Sequence, residues 1–139
     1  ATLQDAMADL EPVIAEADWS AIAGSVSSLG RQRALVVLLT PLESAPVEEG
    51  LLPVLPTLTQ RHRVVLASVK DPALEALARD RSTVDEVYGA AAAEQVLLRR
   101  TRTARLLGAL GVDIVDADAQ RLPPALADHY LHLKASGLL

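Results

Sequence analysis

Two runs of aliphatic residues interrupt the three- and four-residue spacing of apolar positions in this chain: ALVVLL at 34–39 and RVVLASV at 63–69. Neither alternates with polar residues, which is the pattern of a strand covered on both faces, as in a parallel sheet under helices. A third run, VDIVDA at 112–117, alternates through Asp113 and Asp116 and predicts a strand at or near a sheet edge. The most apolar of the three, 34–39, is expected at the centre of a larger sheet and not at its edge. With three strands only, something is expected to be missing on its far side.

The remaining apolar positions recur at helical spacing. Leu3, Met7, Leu10 and Ile14 predict an amphipathic helix over residues 2–17, bent at Pro12. Asp18 then caps a second helix carrying Trp19, Ile22, Val26 and Leu29 on one face, which Gly30 ends. Val47, Leu51, Leu55 and Leu58 predict a helix over 46–60 that Pro53 and Pro56 kink or shorten. Asp71 and Pro72 open a short helix to about Arg79. The longest helical stretch runs from Thr83 to Leu110, acidic at its start and basic towards its end, matching the helix dipole at both ends, and Gly111 closes it. Tyr88, Gly89 and the alanines at 90–93 permit this helix to pack closely on the sheet. Pro123 and Pro124 begin a last helix with Leu126, Tyr130 and Leu133 on one face, ended by Gly137.

Strands alternating with helices imply right-handed crossovers and an α/β fold: a three-layer, Rossmann-like parallel sheet of about three strands with flanking helices. No repeat, low-complexity segment or linker divides the 139 residues. The chain therefore reads as a single unit, with a helical lead-in over 1–30 and a βαβαβα part over 31–139.

Composition narrows the functional classes. The chain has no Phe, and Trp19, Tyr88 and Tyr130 are its only large aromatics, so the core rests on Leu, Val and Ala. A net charge of −5 argues against nucleic acid or an anionic membrane surface as a general partner, because phosphate binding needs a basic face. The absence of cysteine excludes thiolate metal sites, disulfides and cysteine nucleophiles. Apolar runs fall far short of the ~20 residues that span a bilayer. A cytoplasmic location is the expectation. The start at Ala1, directly in an amphipathic pattern, suggests a piece of something longer whose upstream part carries an anchor or not.

Ligands of open α/β sheets bind beyond the carboxyl ends of the strands. Those ends carry Thr40 and Glu43, then Ser68, Lys70 and Asp71, then Asp116 and Asp118. The carboxylates among them suit a cation or acid/base chemistry, although Asp71 and Asp118 each precede a helix and serve equally as caps. His62, in Arg61-His62-Arg63, is placed to donate to the free carbonyls of the preceding helix. His129 and His132 lie three apart on the last helix, where a metal needs a further ligand from elsewhere and where Asp128 offers His132 an ordinary i,i+4 partner. Arg99, Arg102 and Arg105 form a basic row suited to phosphate or an acidic partner protein, with no interleaved aromatics for base stacking. Gly-rich phosphate loops, Gly-x-Ser-x-Gly and His-Glu-x-x-His are absent.

In order and spacing, LVVLLTPLE, RHRVVLASVKDPAL, VYGAAAAEQ, LGVDIVDA and YLHLKASGLL resemble the carboxy-terminal part of bacterial proteins of the domain-of-unknown-function 58 family, from about Trp19 to the last residue. That family is similar to the von Willebrand factor A domain, whose metal-ion-dependent adhesion site uses an Asp-x-Ser-x-Ser loop that this sequence lacks. The resemblance implies that 34–39, 63–69 and 112–117 are strands four, five and six of such a domain, so that the chain is its carboxy-terminal half. It also implies that Pro41 stands where family members often carry Asp. Proline supplies no side-chain oxygen, so a hard cation is expected to bind poorly or not at all.

Together these readings predict a non-catalytic protein-interaction scaffold without a metal or cofactor. By the resemblance it works with a MoxR-class AAA ATPase in assembling other proteins. An uncovered strand edge further predicts self-association, through that edge or by exchange of the helical lead-in. The alternative is a small Rossmann-like enzyme or nucleotide-binding domain that uses the strand-end carboxylates.

Overall fold

The computed structural model describes residues 18–139, so the helix expected over 2–17 lies outside the described residues. In chain order the elements are α1 (Trp19–Ser27), β1 (Leu35–Leu39), α2 (residues 44–59), β2 (Arg63–Val69), α3 (Pro72–Arg79), α4 (Val84–Ala109), β3 (Val112–Ala117) and α5 (Leu122–Ala135). The three strands are parallel and lie in the order β1-β2-β3. The architecture is the expected α/β, Rossmann-like one, a three-strand parallel sheet flanked by helices.

Turn and cap chemistry fixes most boundaries. Asp18 accepts from the backbone N–H of Ala21 to open α1, Asp71 accepts from that of Ala73 to open α3, and the Thr83 hydroxyl accepts from that of Glu86 to open α4. Gly30, Gly111 and Gly137 follow α1, α4 and α5 with positive φ, where a side chain is strained. Leu29 falls beyond the end of α1 and is exposed, so it is not part of that helix's buried face.

Helix α2 departs from expectation in its interior. It begins at Ser44 and contains a wide π turn over Val47–Leu51, in which Leu52 donates to the carbonyl of Val47, before regular helix resumes over Leu52–Thr59. Pro53 and Pro56 carry no N–H to close the ordinary ladder, and the wide turn just before them absorbs the mismatch. The predicted stripe is nonetheless intact, and Val47, Leu51, Leu55 and Leu58 are all buried.

Alternation along the strands sorts the core into two sides. Val36 and Leu38, Val64 and Leu66, and Val112 and Ile114 join Trp19 and Ala23 of α1, the stripe of α2 and Leu107 of α4 in one cluster. The opposite face of β2 carries Val65 and Ala67, both buried, and α5 packs there against β2 and β3. Leu122 and Leu133 are the buried residues of α5, while Tyr130, expected on that face, is largely exposed. Helix α3 lies along α4, and Ala90 and Ala93 are buried outside the main cluster.

The largest correction concerns β1. The most apolar strand was expected to be covered on both faces, and among the described residues its second face is bare, while its uncovered edge is as expected for this chain. Val37 is 43% and Leu39 67% exposed, whereas the same face of β2 is buried. The physical reason is coverage: α5 reaches only β2 and β3, and among the described residues β2 is the sole strand beside β1. The expectation that β3 is an edge strand holds.

Candidate binding site at the carboxyl end of the sheet

Register brings Ser68 and Asp116 side by side at the ends of β2 and β3, on the face that α2 and α4 cover. Above them stands Arg100 of α4. Its position follows from the inward spacing of that helix: Ala93, Leu97, Arg100, Ala104 and Leu107 fall one turn apart along a single stripe. The Arg100 Nη2 donates to Asp116 Oδ1 at 2.7 Å and, at greater length, to the hydroxyl of buried Ser68 at 3.4 Å. Its side chain is only 16% exposed. The contact to Asp116 is a charge-assisted hydrogen bond through one nitrogen of the guanidinium.

Arg100 and Lys70 line two adjoining clefts over this end of the sheet. The first, about 350 Å³, has Glu43, Asp71 and Arg99 on its rim and Val69, Leu74 and Val96 among its apolar walls. The second, about 500 Å³, is bordered by Asp116, Glu75, Arg105 and Ile114. Lys70 pairs with Glu75 at 3.0 Å. A third cleft of about 280 Å³, between α2 and α4, holds Glu48 with Arg99 and Arg102.

Of the polar residues expected together, Glu43, Asp71 and Asp116 therefore border the clefts and Ser68 lies beneath Arg100. Thr40 and Asp118 line neither of the first two. Asp118 instead accepts from the N–H groups of Gln120 and Arg121 at the start of α5, a capping role. Pro41 is exposed beyond β1. Among the described residues, no three His, Cys, Asp or Glu come together as a metal-binding group. Arg99, Arg102 and Arg105 do lie along one helix and border the clefts, but the residue that organises the site is Arg100. The signal for it was an arginine on the inward stripe of α4, where an aliphatic residue is the rule.

The histidines behave differently from expectation. His62 is buried, and its Nδ1 accepts from the N–H of Ala34 at 3.0 Å rather than its ring donating to the preceding helix. This ties the loop before β1 to the end of α2. His129 does not share a ligand with His132: its Nε2 lies 3.0 Å from Asp113, which also takes two donors of Arg63 at 2.8 and 2.9 Å. No Asp128–His132 pair forms among the described residues. The Arg63–Asp113–His129 cluster sits at the amino end of the sheet, away from the clefts, and joins β2, β3 and α5. Asp113→Ala is expected to cost about 2 kcal/mol, as for hydrogen bonds to a charged group, measured by urea denaturation. A cost under about 0.5 kcal/mol would reduce the cluster to an ordinary surface pairing.

Among the described residues, no helix is long and apolar enough to cross a membrane. No family model, curated protein or solved structure matches the chain.

Proposed function

We propose that this chain is a non-catalytic protein-interaction module, the carboxy-terminal half of a von Willebrand A-like sheet, whose contact surface is the edge and bare face of β1. One observation carries this reading: Leu39 and Val37 are exposed on a strand of sequence LVVLL whose backbone edge has no partner among the described residues. Natural edge strands are protected by charge, proline or a bulge, and this one has none of these within it. The consecutive strand order also suits half of a doubly wound sheet, with the other half expected beyond β1. The strand-end groups support a binding role over catalysis, because Asp116 is tied to Arg100, Lys70 to Glu75, and Asp71 and Asp118 to helix starts. In the setting that the family resemblance implies, the module works beside a MoxR-class AAA ATPase.

For the isolated chain the occupant of the edge is a second copy. A neutral apolar strand complements itself: antiparallel pairing about a two-fold axis through Val37 sets Leu35 opposite the partner's Leu39 and merges two three-strand sheets into one. Sedimentation velocity at roughly 50 µM is expected to show a dimer, which corresponds to micromolar affinity. Val37→Lys with Leu39→Lys is expected to give a monomer of unchanged helix content. A wild-type monomer at that concentration sinks the proposal.

A further inference from the structure

The carboxyl end of the sheet carries a second, independent surface. The chain has a net charge of −5, yet each of the three clefts along α4 is bordered by more cationic than anionic side chains. Each is lined by two members of one set of four arginines: Arg99 and Arg100 in the first, Arg100 and Arg105 in the second, Arg99 and Arg102 in the third. Among the described residues, Arg99, Arg102 and Arg105 make no ion pair. The expected dipole matching at the end of α4 does not account for these cations, because its last turn holds no basic residue, and one of them lies inward, on the stripe that faces the sheet.

The donors of Arg100 carry the argument further. Only its Nη2 is engaged, by Asp116 and Ser68. Nε and Nη1 have no protein partner, and they are not sealed from solvent, because Glu86 Oε2 is the one buried and unpartnered side-chain polar atom among the described residues. Arg100 itself lines the first two clefts. Asp116 and Ser68 anchor Nη2, so Arg100 has less rotamer entropy to lose on binding than a surface arginine. Lys70 borders the same two clefts, and Val69, Leu74, Val96 and Leu97 wall the first. A cleft of about 350 Å³ with apolar walls and a few convergent cations has the size and make-up of a small-molecule site.

We propose that this end of the sheet binds a small molecule through an oxyanion, phosphate or carboxylate, held by Arg100 with Lys70 and Arg99 beside it and with its apolar body against Val69, Leu74 and Val96. Glu43 and Asp71 on the rim of the same cleft disfavour highly charged polyanions, which separates this site from a nucleic-acid surface.

Calorimetric titration with phenyl phosphate and, separately, with phenylacetate distinguishes the two sources of the oxyanion. At least one of them is expected to bind the wild-type chain with a dissociation constant near 1 mM or below. Arg100→Gln is expected to weaken that binding on the order of tenfold and Arg99→Gln several-fold, while Arg121→Gln, at the start of α5 and lining none of the three clefts, leaves it unchanged. Where Arg100→Gln does not fold, since it strands Asp116, the contrast between Arg99→Gln and Arg121→Gln decides. Absence of binding by both probes overturns the proposal. So does an equal loss in every arginine variant, which marks general charge attraction, or undiminished binding in Arg100→Gln.

Discussion

Gly50→Ala is expected to destabilise the protein, against the ordinary trend for a glycine inside a helix. Alanine normally gains about 1 kcal/mol over glycine at such a position. Here a Cβ on residue 50 falls 2.3 Å from Cδ1 and 2.8 Å from Nε1 of Trp19, far inside van der Waals contact. The ring cannot swing aside cheaply, because Trp19 is buried in the main core with Leu51 and Leu55 as fellow members. Overpacking of this kind costs about 1–3 kcal/mol and occasionally more, and against the gain of about 1 kcal/mol the net change is a loss of up to about 2 kcal/mol. For a chain of this length that lowers the melting temperature by about 3–5 °C per kcal/mol. Trp19 is the sole tryptophan, so its emission reports the same event and is expected to shift to the red as the ring is pushed towards solvent. A double-mutant cycle with Trp19→Leu completes the test. In that background Gly50→Ala is expected to be neutral or stabilising. Stabilisation in the wild-type background would show that α1 does not pack on the π turn.

How much of this was legible in the sequence follows from the range over which each feature is decided. Helix α3 and strand β2 were readable to the residue because Asp71, Pro72 and the aliphatic run act within a few positions of themselves. The buried stripe of α2 was readable from spacing alone, whereas its π turn was not, since it depends on how two prolines share one helix. The contact of Gly50 with Trp19 joins residues more than thirty positions apart, and nothing in the local pattern of either announces it. The candidate site shows the same division. Glu43, Asp71 and Asp116 follow from strand ends, but Arg100 reaches them from the middle of a long helix, and only its intrusion on an inward stripe marked it. His129 was read with its helix neighbours and found its partner, Asp113, on another element.

The coverage of β1 is where the aliphatic pattern misled, and the exposures on its second face measure by how much. Val65 and Ala67 on β2 are each 1% exposed and their register partners Val37 and Leu39 on β1 are 43% and 67% exposed, although the two aliphatic runs look alike on paper. A strand's sequence records what it can bury, and sheet order decides what it does bury. Leu66→Ala is expected to cost about 2–5 kcal/mol through lost transfer energy and a residual cavity. Leu39→Ala, in a dilute monomer, is expected to fall within about 0.5 kcal/mol of wild type, as for a surface change. Urea denaturation of both variants at about 1 µM and again at about 50 µM separates fold from assembly, because stability that depends on a partner copy rises with concentration. If β1 pairs with a second copy, the cost of Leu39→Ala grows with concentration while that of Leu66→Ala stays constant. A large cost for Leu39→Ala already at the lower concentration would mean that β1 is covered within a single chain, and the edge would no longer be open to any partner.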